Sequence, residues 1–241
     1  MFTIFKKEVD EFLNSLIAYV VIGVFLIGVG LVTWVFPESS VLDYGYATLE
    51  PLFSLGPYLF MFLIPAITMR SFAEEKRTGT MELLLTLPFK SWEVVLGKYL
   101  SCVFLVVFSI LPTMVYYYSL YQLGNPIGNL DTAGIVGSYL GFLLLGCVFC
   151  SFGLFASATT ENQIVAFILS AFLCFLSYDG IDAISGMFTW SSWSLIIQQF
   201  GILYHYDSMS RGLLDIKDLG YFVVVIALML FLIQYLITTR R

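Results

Sequence analysis

Long apolar segments constrain this chain more than any other feature of its sequence. Hydrophobic residues make up 59% of its 241 residues and charged residues only 12%. A helix rises about 1.5 Å per residue, so about 20 apolar residues cross a hydrocarbon core of about 30 Å. Six segments approach this length, at residues 15–36, 52–69, 99–121, 134–158, 162–179 and 219–239. The sequence therefore predicts an all-α integral membrane protein with six transmembrane helices.

The distribution of basic residues predicts how these segments are oriented. Lysine and arginine accumulate in the cytoplasmic loops of membrane proteins. With the N-terminus in the cytoplasm, six crossings leave only Arg211 and Lys217 on the outer side. The inner side then holds Lys6, Lys7, Arg70, Lys76, Arg77, Lys90, Lys98, Arg240 and Arg241. We therefore expect both termini to be cytoplasmic.

Residues 183–206 offer an alternative seventh span, because they carry no charged side chain apart from His205. A seventh crossing would place Arg240 and Arg241 on the outer side, against the charge rule. The stretch TWSSWSLIIQQ is also polar and contains two tryptophans, which prefer the membrane interface. We therefore expect re-entrant or surface-lying helices here, between the fifth and sixth spans.

The first 14 residues have an amphipathic pattern in which apolar residues recur at helical spacing. The apolar positions are Phe2, Phe5, Val9, Phe12 and Leu13, and the opposite face holds Lys6, Lys7, Glu8, Asp10 and Glu11. Such a helix can lie in the membrane interface, with its basic side chains near anionic headgroups. A plain cytoplasmic extension of the first span is the alternative that the pattern leaves open.

The inner loop over residues 71–92 mixes charged residues with a leucine-rich run. Ser71 and Glu74 have the spacing of a capping box, in which both side chains satisfy free backbone N–H groups at a helix start. We therefore expect a helix to begin near Ser71. Gly79 interrupts that helix, and Thr80 can cap a second short helix.

This second helix has one apolar face. Met81, Leu84 and Leu85 fall on it at spacings of three and four, and Pro88 ends the helix. Charged residues flank that face, namely Glu74, Glu75, Lys76, Arg77 and Glu82. An exposed apolar patch rimmed by charge is typical of a docking surface for another protein. A loop folded back on its own bundle is the alternative.

The chain lacks the motif with which many ATPases hold phosphate. A Walker A loop needs a glycine-rich run that ends in Gly-Lys-Ser/Thr. Here Gly97 and Lys98 are followed by Tyr99, and Trp92 stands where the first glycine belongs. We therefore expect this chain to bind no ATP in that manner. It also carries no basic, aromatic-interleaved surface of the kind that binds nucleic acid.

The cysteines and glycines of the fourth span are interpreted as packing residues. Cys147 and Cys150 have redox or metal spacing, but they lie in an apolar run with no second pair, so we expect no metal site. The same span contains Gly137, Gly141, Gly146 and Gly153. Small residues let helices approach closely, either within one subunit or at a dimer seam.

Acidic and aromatic residues cluster near the outer end of the fifth span. Asp179 and Asp182 lie at that end, and Trp190 and Trp193 follow in the next segment. We interpret these four residues as candidates for an outer gate; solvated carboxylates without such a role are the alternative. No ionisable residue lies in the middle of a predicted span, which argues against an ion-coupled carrier.

The stretch EEKRTGTMELLLTLPFKSWEVVLGKYLS has a distinctive order, with charges followed by Gly-Thr, a glutamate, a leucine run, a proline and a Gly-Lys pair. In this order it resembles the cytoplasmic signature of ABC-2-type transporter permeases. The matching residues are Glu75, Gly79, Thr80, Glu82, Leu84, Leu85, Pro88, Gly97 and Lys98.

Two further stretches resemble the same family. IFKKEVDEFLNSLIAYVVIGVFLIGVGLVTWVF is similar to its interface helix and first span, and SATTENQIVAFILSAFLCFL to the turn between its fourth and fifth spans. With Tyr19, Phe25 and Trp34, the N-terminal stretch is most similar to permease subunits of gliding-motility-associated ABC transporters of Bacteroidetes.

The resemblance implies a permease dimer in the bacterial inner membrane, with a separate cytoplasmic ATPase that binds ATP and Mg²⁺ for each half. The coupling-helix residues would be Glu75, Arg77, Gly79, Thr80, Met81, Glu82, Leu84, Leu85 and Pro88. The interface-helix residues would be Phe2, Phe5, Lys6, Lys7, Val9 and Phe12, contacting the same ATPase. The gliding-type systems also imply a second membrane subunit with a large periplasmic domain.

The resemblance further implies that the chain couples ATP hydrolysis on its partner to the export or extraction of a substrate. On this interpretation the chain is not an enzyme and binds no cofactor of its own. A non-transporting membrane scaffold, driven mechanically by the same ATPase, is the alternative function.

Overall fold

The structure is a computed structural model that describes residues 1–37, 40–44, 48–82, 90–187, 193–213 and 215–239, apart from the side chains at positions 43, 44, 193 and 194. Over these residues the chain is helical and contains no strand, which confirms the predicted all-α class. The helices are α1 (Phe2–Leu13), α2 (Leu16–Trp34), α3 (Val41–Tyr44), α4 (Glu50–Thr68), α5 (Ala73–Arg77), α6 (Ser91–Ile110), α7 (Met114–Leu123), α8 (Thr132–Thr159), α9 (Gln163–Phe175), α10 (Ile181–Met187), α11 (Trp193–Gln198), α12 (Ile202–Ser210) and α13 (Ile216–Thr239).

Six helical stretches in the described part of the chain are long and apolar enough to cross a membrane, as predicted. They are Leu16–Trp34, Glu50–Arg77, Ser91–Leu123, Thr132–Thr159, Gln163–Met187 and Ile216–Thr239. A 3₁₀ turn at Leu111–Thr113 joins α6 to α7, where Pro112 removes a backbone donor. Between the last two spans, α11 and α12 have 6 and 9 residues, too few for a seventh crossing.

The N-terminal helix is separate from the first span. It ends at Leu13, and Ser15 has an extended backbone with φ −91° and ψ 130°. The Ser15 hydroxyl accepts a hydrogen bond of 3.3 Å from the backbone N–H of Ile17 and so caps α2. The chain therefore changes direction between the two helices, which excludes the alternative of a continuous extension of α2.

The bundle has two ends, which we name by their contents. The α1 end holds α1, α5, the start of α6 and the end of α8, since the backbone N–H groups of Phe72 and Ala73 bond to Ser157. The far end holds α12, whose Tyr206 hydroxyl donates a 2.7 Å hydrogen bond to the carbonyl of Phe53 in α4.

Helix α8 lies at the centre of the bundle, in contact with α4, α6, α9, α12 and α13. Its glycines permit this. A Cβ atom added at Gly141 would lie 2.8 Å from Cβ of Met209, and one at Gly146 would lie 2.7 Å from Cγ1 of Val106. A Cβ atom added at Gly137 would likewise meet the backbone of Gly212, and one added at Gly153 would meet the side chain of Thr68. All four glycines thus pack within this chain, which resolves the choice between internal packing and a dimer seam.

Aromatic rings fill the space between α2, α4 and α8. The rings of Phe60 and Phe142 stack with centroids 4.4 Å apart, and Phe25 stacks on Phe60 at 4.8 Å. All three side chains are buried. Stacked rings of this kind add about 0.5–1.5 kcal/mol per pair beyond the area that they bury.

The close approach of α4 and α8 predicts that Gly153→Ala is destabilising. The added Cβ would lie 2.0 Å from Oγ1 of Thr68, which is itself held by a 2.9 Å hydrogen bond to the Ile64 carbonyl. Such overpacking costs about 1–3 kcal/mol. Thermal unfolding of the purified protein in detergent should show a lowered midpoint.

The matched control is Gly23→Ala in α2, where an added Cβ meets nothing within 4 Å. Its midpoint should stay unchanged or rise slightly, because alanine favours a helix over glycine by about 0.5–1 kcal/mol. Equal midpoints for the two variants would contradict the described packing of α4 against α8.

Candidate functional site

A buried lysine organises the α1 end of the bundle. Helix α6 begins at Ser91, so Lys98 lies in its first half, and its side chain is only 1% exposed. The Lys98 ammonium donates hydrogen bonds to Oε1 of Glu8 at 2.7 Å, to Oε1 of Glu75 at 2.8 Å and to the carbonyl of Ser71 at 2.8 Å. An ammonium has three donors, so each of them has one acceptor.

These acceptors come from different parts of the chain. Glu8 belongs to α1, Glu75 to α5, and Ser71 to the turn between α4 and α5. We call Lys98, Glu8, Glu75 and the Ser71 carbonyl the Lys98 cluster. Removing such charges from water costs several kcal/mol per ion, and close pairing offsets that cost only while all partners stay in place. The Lys98 cluster therefore holds α1, α5 and α6 in one arrangement.

Lys7 borders this cluster from the surface. Its ammonium lies 3.7 Å from a carboxylate oxygen of Glu8, 3.7 Å from one of Glu75 and 3.9 Å from one of Glu11. Because the Lys7 side chain is 57% exposed, solvent screens these pairs and each contributes little. The strong interactions of the cluster are those of Lys98.

The burial of Glu8 corrects one sequence-based expectation. Glu8 was predicted on the charged, exposed face of the N-terminal helix, whereas its side chain is buried. The reason is the partner on α6, since Lys98 supplies the opposite charge that a buried carboxylate requires. The spacing did contain a signal, because Glu8 lies four residues from both Ile4 and Phe12 and so shares their face.

A serine forms a second attachment, between α5 and the end of α8. The Ser157 hydroxyl accepts hydrogen bonds of 3.0 Å from the backbone N–H groups of Phe72 and Ala73, and it donates one of 3.0 Å to the Met69 carbonyl. The ammonium of Lys76 donates to the carbonyl of Ala158. Residues 69–77 are thus attached both to α8 and, through the Lys98 cluster, to α1 and α6.

The same serine explains why the predicted capping box is wrong. Helix α5 begins at Ala73, and no side chain of its own segment caps it. The backbone N–H groups of Phe72 and Ala73 donate instead to the Ser157 hydroxyl, 85 and 84 residues further along the chain, and that of Glu74 donates to the Arg70 carbonyl. Sequence spacing cannot reveal a cap that comes from another helix.

The predicted coupling residues fall into three groups. Glu75 belongs to the Lys98 cluster, and Met81 is buried in the hydrophobic core. Arg77, Gly79, Thr80 and Glu82 are exposed, and Gly79 has a φ of +71°, a left-handed conformation that glycine adopts without strain. Leu84, Leu85 and Pro88 lie outside the described residues.

Helix α1, which carries the predicted interface-helix residues, packs along α6. Phe5 packs edge-on against the ring of Phe104 with centroids 6.1 Å apart, and Val9 is buried. Phe12 is half-buried against the hydrophobic core. Of the predicted residues, Phe2, Lys6 and Lys7 are exposed. One face of α1 thus packs on the bundle, and the other is free to meet lipid or a partner.

At the far end, the predicted gate residues make polar contacts. The Tyr58 hydroxyl donates to Oδ1 of Asp179 at 3.3 Å, and the amide of Gln198 donates to Oδ1 of Asp182 at 3.0 Å. Trp193 begins α11. Trp190 lies outside the described residues.

A cavity of about 550 Å³ opens at the far end. Tyrosines and carboxylates contribute much of its lining, including Tyr58, Tyr178, Tyr206, Glu50, Asp131 and Asp207. Asp182 instead lines a smaller neighbouring cavity of about 460 Å³.

The far end also contains a buried pair, His205 and Asp218, that the sequence pattern did not indicate. Nδ1 of His205 lies 2.7 Å from Oδ1 of Asp218, and Nε2 lies 2.9 Å from the Gln199 carbonyl. The Tyr221 ring stacks on the imidazole with centroids 4.0 Å apart. The contacts with Asp218 and Tyr221 attach α12 to the last span, α13, and the contact with Gln199 holds the turn before α12 against His205.

The ionic and hydrogen-bonded contacts at the α1 end attach α1, α5, α6 and α8 to one another. All three donors of the Lys98 ammonium are used in hydrogen bonds. In the described ranges, no group of three or more His, Cys, Asp and Glu side chains could hold a metal ion. What the site offers is a rigid connection from α5 to α1, α6 and α8.

Comparison with known proteins yields one family. The family described as ABC-2 family transporter protein matches residues 2–239, almost the entire chain. The comparison with curated proteins found no match.

The Lys98 cluster predicts that Lys98→Met is strongly destabilising. Methionine has a similar volume but leaves Glu8 and Glu75 buried without a counter-charge, and breaking a buried pair from one side costs about 3–5 kcal/mol. Thermal unfolding in detergent should show a much lower midpoint. Limited trypsin digestion should cut faster after Lys6 and Lys7, because α1 loses its strongest attachment.

Two controls separate loss of charge balance from loss of packing. Adding Glu8→Gln and Glu75→Gln to Lys98→Met removes the unpaired charges, so part of the lost stability should return. Arg211→Gln breaks the exposed pair with Asp207, whose side chains are 71% and 52% exposed, and should cost less than about 1 kcal/mol. A wild-type midpoint for Lys98→Met would contradict the structural role of the cluster.

Proposed function

We propose that this chain, which belongs to the ABC-2 transporter family, receives the movement of a separate cytoplasmic ATPase through residues 71–92 and passes it to its transmembrane helices. Membership makes the chain the multi-pass transmembrane component of an ABC transporter and not its ATPase. The family also implies an ABC ATPase partner and a permease dimer. The residues that make the coupling are our proposal.

The observation that carries the proposal is the double attachment of α5. Its Glu75 bonds to Lys98 on α6, which also bonds to Glu8 on α1. The backbone at its start bonds to Ser157 on α8. A force applied to α5 would therefore reach three helices through short, buried hydrogen bonds, without first deforming a flexible loop.

The docking surface for the ATPase would begin where this attachment ends. Arg77, Thr80 and Glu82 are exposed on either side of the backbone turn at Gly79. The leucine run with Leu84 and Leu85 follows directly, and its predicted apolar face is the proposed contact. The exposed face of α1 would add a second contact with the same ATPase.

The nucleotide chemistry would belong entirely to the partner. ATP and Mg²⁺ would be bound by the ATPase, since Gly97-Lys98 lacks the hydroxyl residue of a Walker A loop and Lys98 is committed to the buried cluster. Closure of two ATPase subunits would move the two coupling segments of a permease dimer. The chain would thereby drive export or extraction of a substrate across the bacterial inner membrane.

The outer gate would lie at the far end, near Asp179, Asp182, Trp190 and Trp193. Tyr58, which donates to Asp179, lines the cavity of about 550 Å³, and Asp182 lines the neighbouring cavity of about 460 Å³. Openings lined by tyrosines and carboxylates can accept a polar substrate group. The gliding-motility assignment, with its second membrane subunit, rests on resemblance at Tyr19, Phe25 and Trp34. Phe25 packs in the aromatic core, so its presence has a structural reason as well.

The docking proposal predicts that Leu84→Asp combined with Leu85→Asp releases the ATPase. Two carboxylates on an apolar contact face would have to be desolvated on binding, which costs several kcal/mol per charge. Affinity purification of the permease should recover at least about tenfold less ATPase, since a loss of 1.4 kcal/mol already corresponds to tenfold.

The matched control is Leu213→Asp, an exposed leucine at the far end. This variant should co-purify with the ATPase at the wild-type level. Size-exclusion profiles and unfolding midpoints of both variants should match the wild type. Normal recovery of the ATPase by the double variant would refute docking through the leucine run.

The proposed orientation predicts that a peptide tag fused after residue 241 is protected from added protease in sealed spheroplasts, because both termini would be cytoplasmic. A tag inserted after Leu213, at the far end, should be digested under the same conditions. Digestion of the C-terminal tag in intact spheroplasts would overturn this orientation.

A further inference from the structure

The wall of the far-end cavity, the opening of about 550 Å³, offers hydrogen-bond acceptors and few donors. A hydroxyl group has one donor and two acceptor lone pairs. Four hydroxyls of the lining already donate their hydrogen to a backbone carbonyl, namely Ser54 to Pro51, Ser138 to Ser210, Tyr206 to Phe53, and Ser210 to Asp207. A fifth, that of Tyr58, donates to the Asp179 carboxylate. These hydroxyls can therefore offer a ligand only their lone pairs.

The charge of the lining is mostly negative over the described residues. Glu50, Asp131 and Asp207 contribute carboxylates, and Arg211 contributes a guanidinium. That guanidinium is already paired with Asp207, at a distance of 2.6 Å. Glu50 and Asp131 form no ion pair within 4.0 Å in the part of the chain that the structure describes. The wall thus leaves two carboxylates uncompensated, and their charge attracts a cation.

One hydroxyl of the lining lacks a hydrogen-bond partner among the described residues. The Tyr178 side chain is only 3% exposed, and its ring contacts those of Tyr58, Phe149 and Tyr206 with centroids 5.8, 6.4 and 6.0 Å away. Its hydroxyl is unpaired there but is not sealed off from the cavity that the residue lines. A polar group at this depth gains free energy from a partner that a ligand supplies. The Tyr178 hydroxyl therefore marks where the polar group of a ligand belongs.

We propose that the far-end cavity binds an organic molecule through a primary ammonium group. An ammonium has three N–H donors and no acceptor, which matches a wall of lone pairs. The Tyr178 oxygen accepts one of its hydrogen bonds, and the uncompensated carboxylates of Glu50 and Asp131 supply the counter-charge. The cavity volume lies within the range of about 300–1,000 Å³ that is usual for ligand sites, so it has room for the rest of the molecule.

The same wall disfavours three other classes of ligand. A carboxylate or phosphate has no hydrogen for the lone pairs and is repelled by the excess negative charge. A neutral alcohol or sugar has donors but no charge to neutralise Glu50 and Asp131. A quaternary ammonium has the charge but no N–H group for the Tyr178 oxygen. The cavity therefore selects for two features together, a positive charge and N–H donors.

Equilibrium dialysis of the full-length chain in detergent against radiolabelled putrescine tests this selection. Putrescine is a four-carbon chain with a primary ammonium at each end, and its binding should saturate. Competitors of the same length represent the other classes: 1,4-butanediol, succinate and hexamethylated putrescine, whose ammonium groups are quaternary. Each should compete at least about tenfold less strongly than unlabelled putrescine, the ratio expected for one charge-assisted hydrogen bond. Equal competition by any of the three, or binding that does not saturate, would overturn the proposal.

Two variants test the proposed contacts. Tyr178→Phe keeps the ring and removes a hydroxyl that has no partner in the described part of the protein, so its unfolding midpoint should equal that of the wild type. Its putrescine binding should weaken at least about tenfold. Glu50→Gln removes one charge from an exposed position and should weaken binding about two- to fivefold.

The matched controls are Tyr121→Phe and Glu161→Gln, which remove a hydroxyl and a charge from residues that do not line the cavity. Both should bind putrescine as tightly as the wild type. Equal affinities of Tyr178→Phe and Tyr121→Phe would overturn the assignment of the accepting oxygen. Equal affinities of Glu50→Gln and Glu161→Gln would overturn the assignment of the counter-charge.

As a substrate site this cavity rests on the proposed function, whereas amine binding itself needs neither an ATPase nor transport. The leucine double variant should therefore lose the ATPase and still bind putrescine with wild-type selectivity. Unselective binding by a wild-type chain that retains its ATPase would overturn the amine site and leave the coupling proposal intact.

Discussion

The need to neutralise one buried positive charge governs the α1 end of this protein. Lys98 lies inside a helix that is otherwise suited to a membrane, so its ammonium must find acceptors within the chain. Those acceptors come from the N-terminal helix and from the segment that follows the second span. Because Lys98 needs these acceptors, α1, the segment that contains Ser71 and Glu75, and α6 are held together although they are distant in the sequence. The position of the proposed coupling segment depends on this contact.

The far end follows a different physical rule. There, α12 packs on the central helix by close contact, with Gly137 against Gly212 and Gly141 against Met209. The Ser138 hydroxyl of the central helix donates to the Ser210 carbonyl of α12, and the Tyr206 hydroxyl of α12 donates to the Phe53 carbonyl of α4. The far end thus relies on close helix contacts together with the buried His205–Asp218 pair, whereas the α1 end relies on the buried charges of the Lys98 cluster.

The parts of this structure that were predictable are those that follow from a continuous pattern of apolar residues along the sequence. Apolar length indicated six spans, and the amphipathic period indicated the helix that begins at Phe2. The polar contacts of the Lys98 cluster and of Ser157 were not predictable, because they join residues far apart in the chain. Lys98 and Glu8 are separated by 90 positions, and Ser157 serves a helix start 84 positions earlier, so no local pattern connects them.

The hydroxyl of Ser157 has a consequence for how this position can evolve. One oxygen accepts from two backbone N–H groups and donates to a carbonyl, in a site with no exposed surface. Alanine at this position would leave those backbone groups unpaired, and threonine would bring an extra methyl group into a filled space. Cysteine would place a sulfur there, which has a longer bond to Cβ than the serine oxygen and is a weaker hydrogen-bond acceptor. Relatives that hold their coupling segment in this way should therefore show serine as a nearly invariant marker at this point of the fourth span.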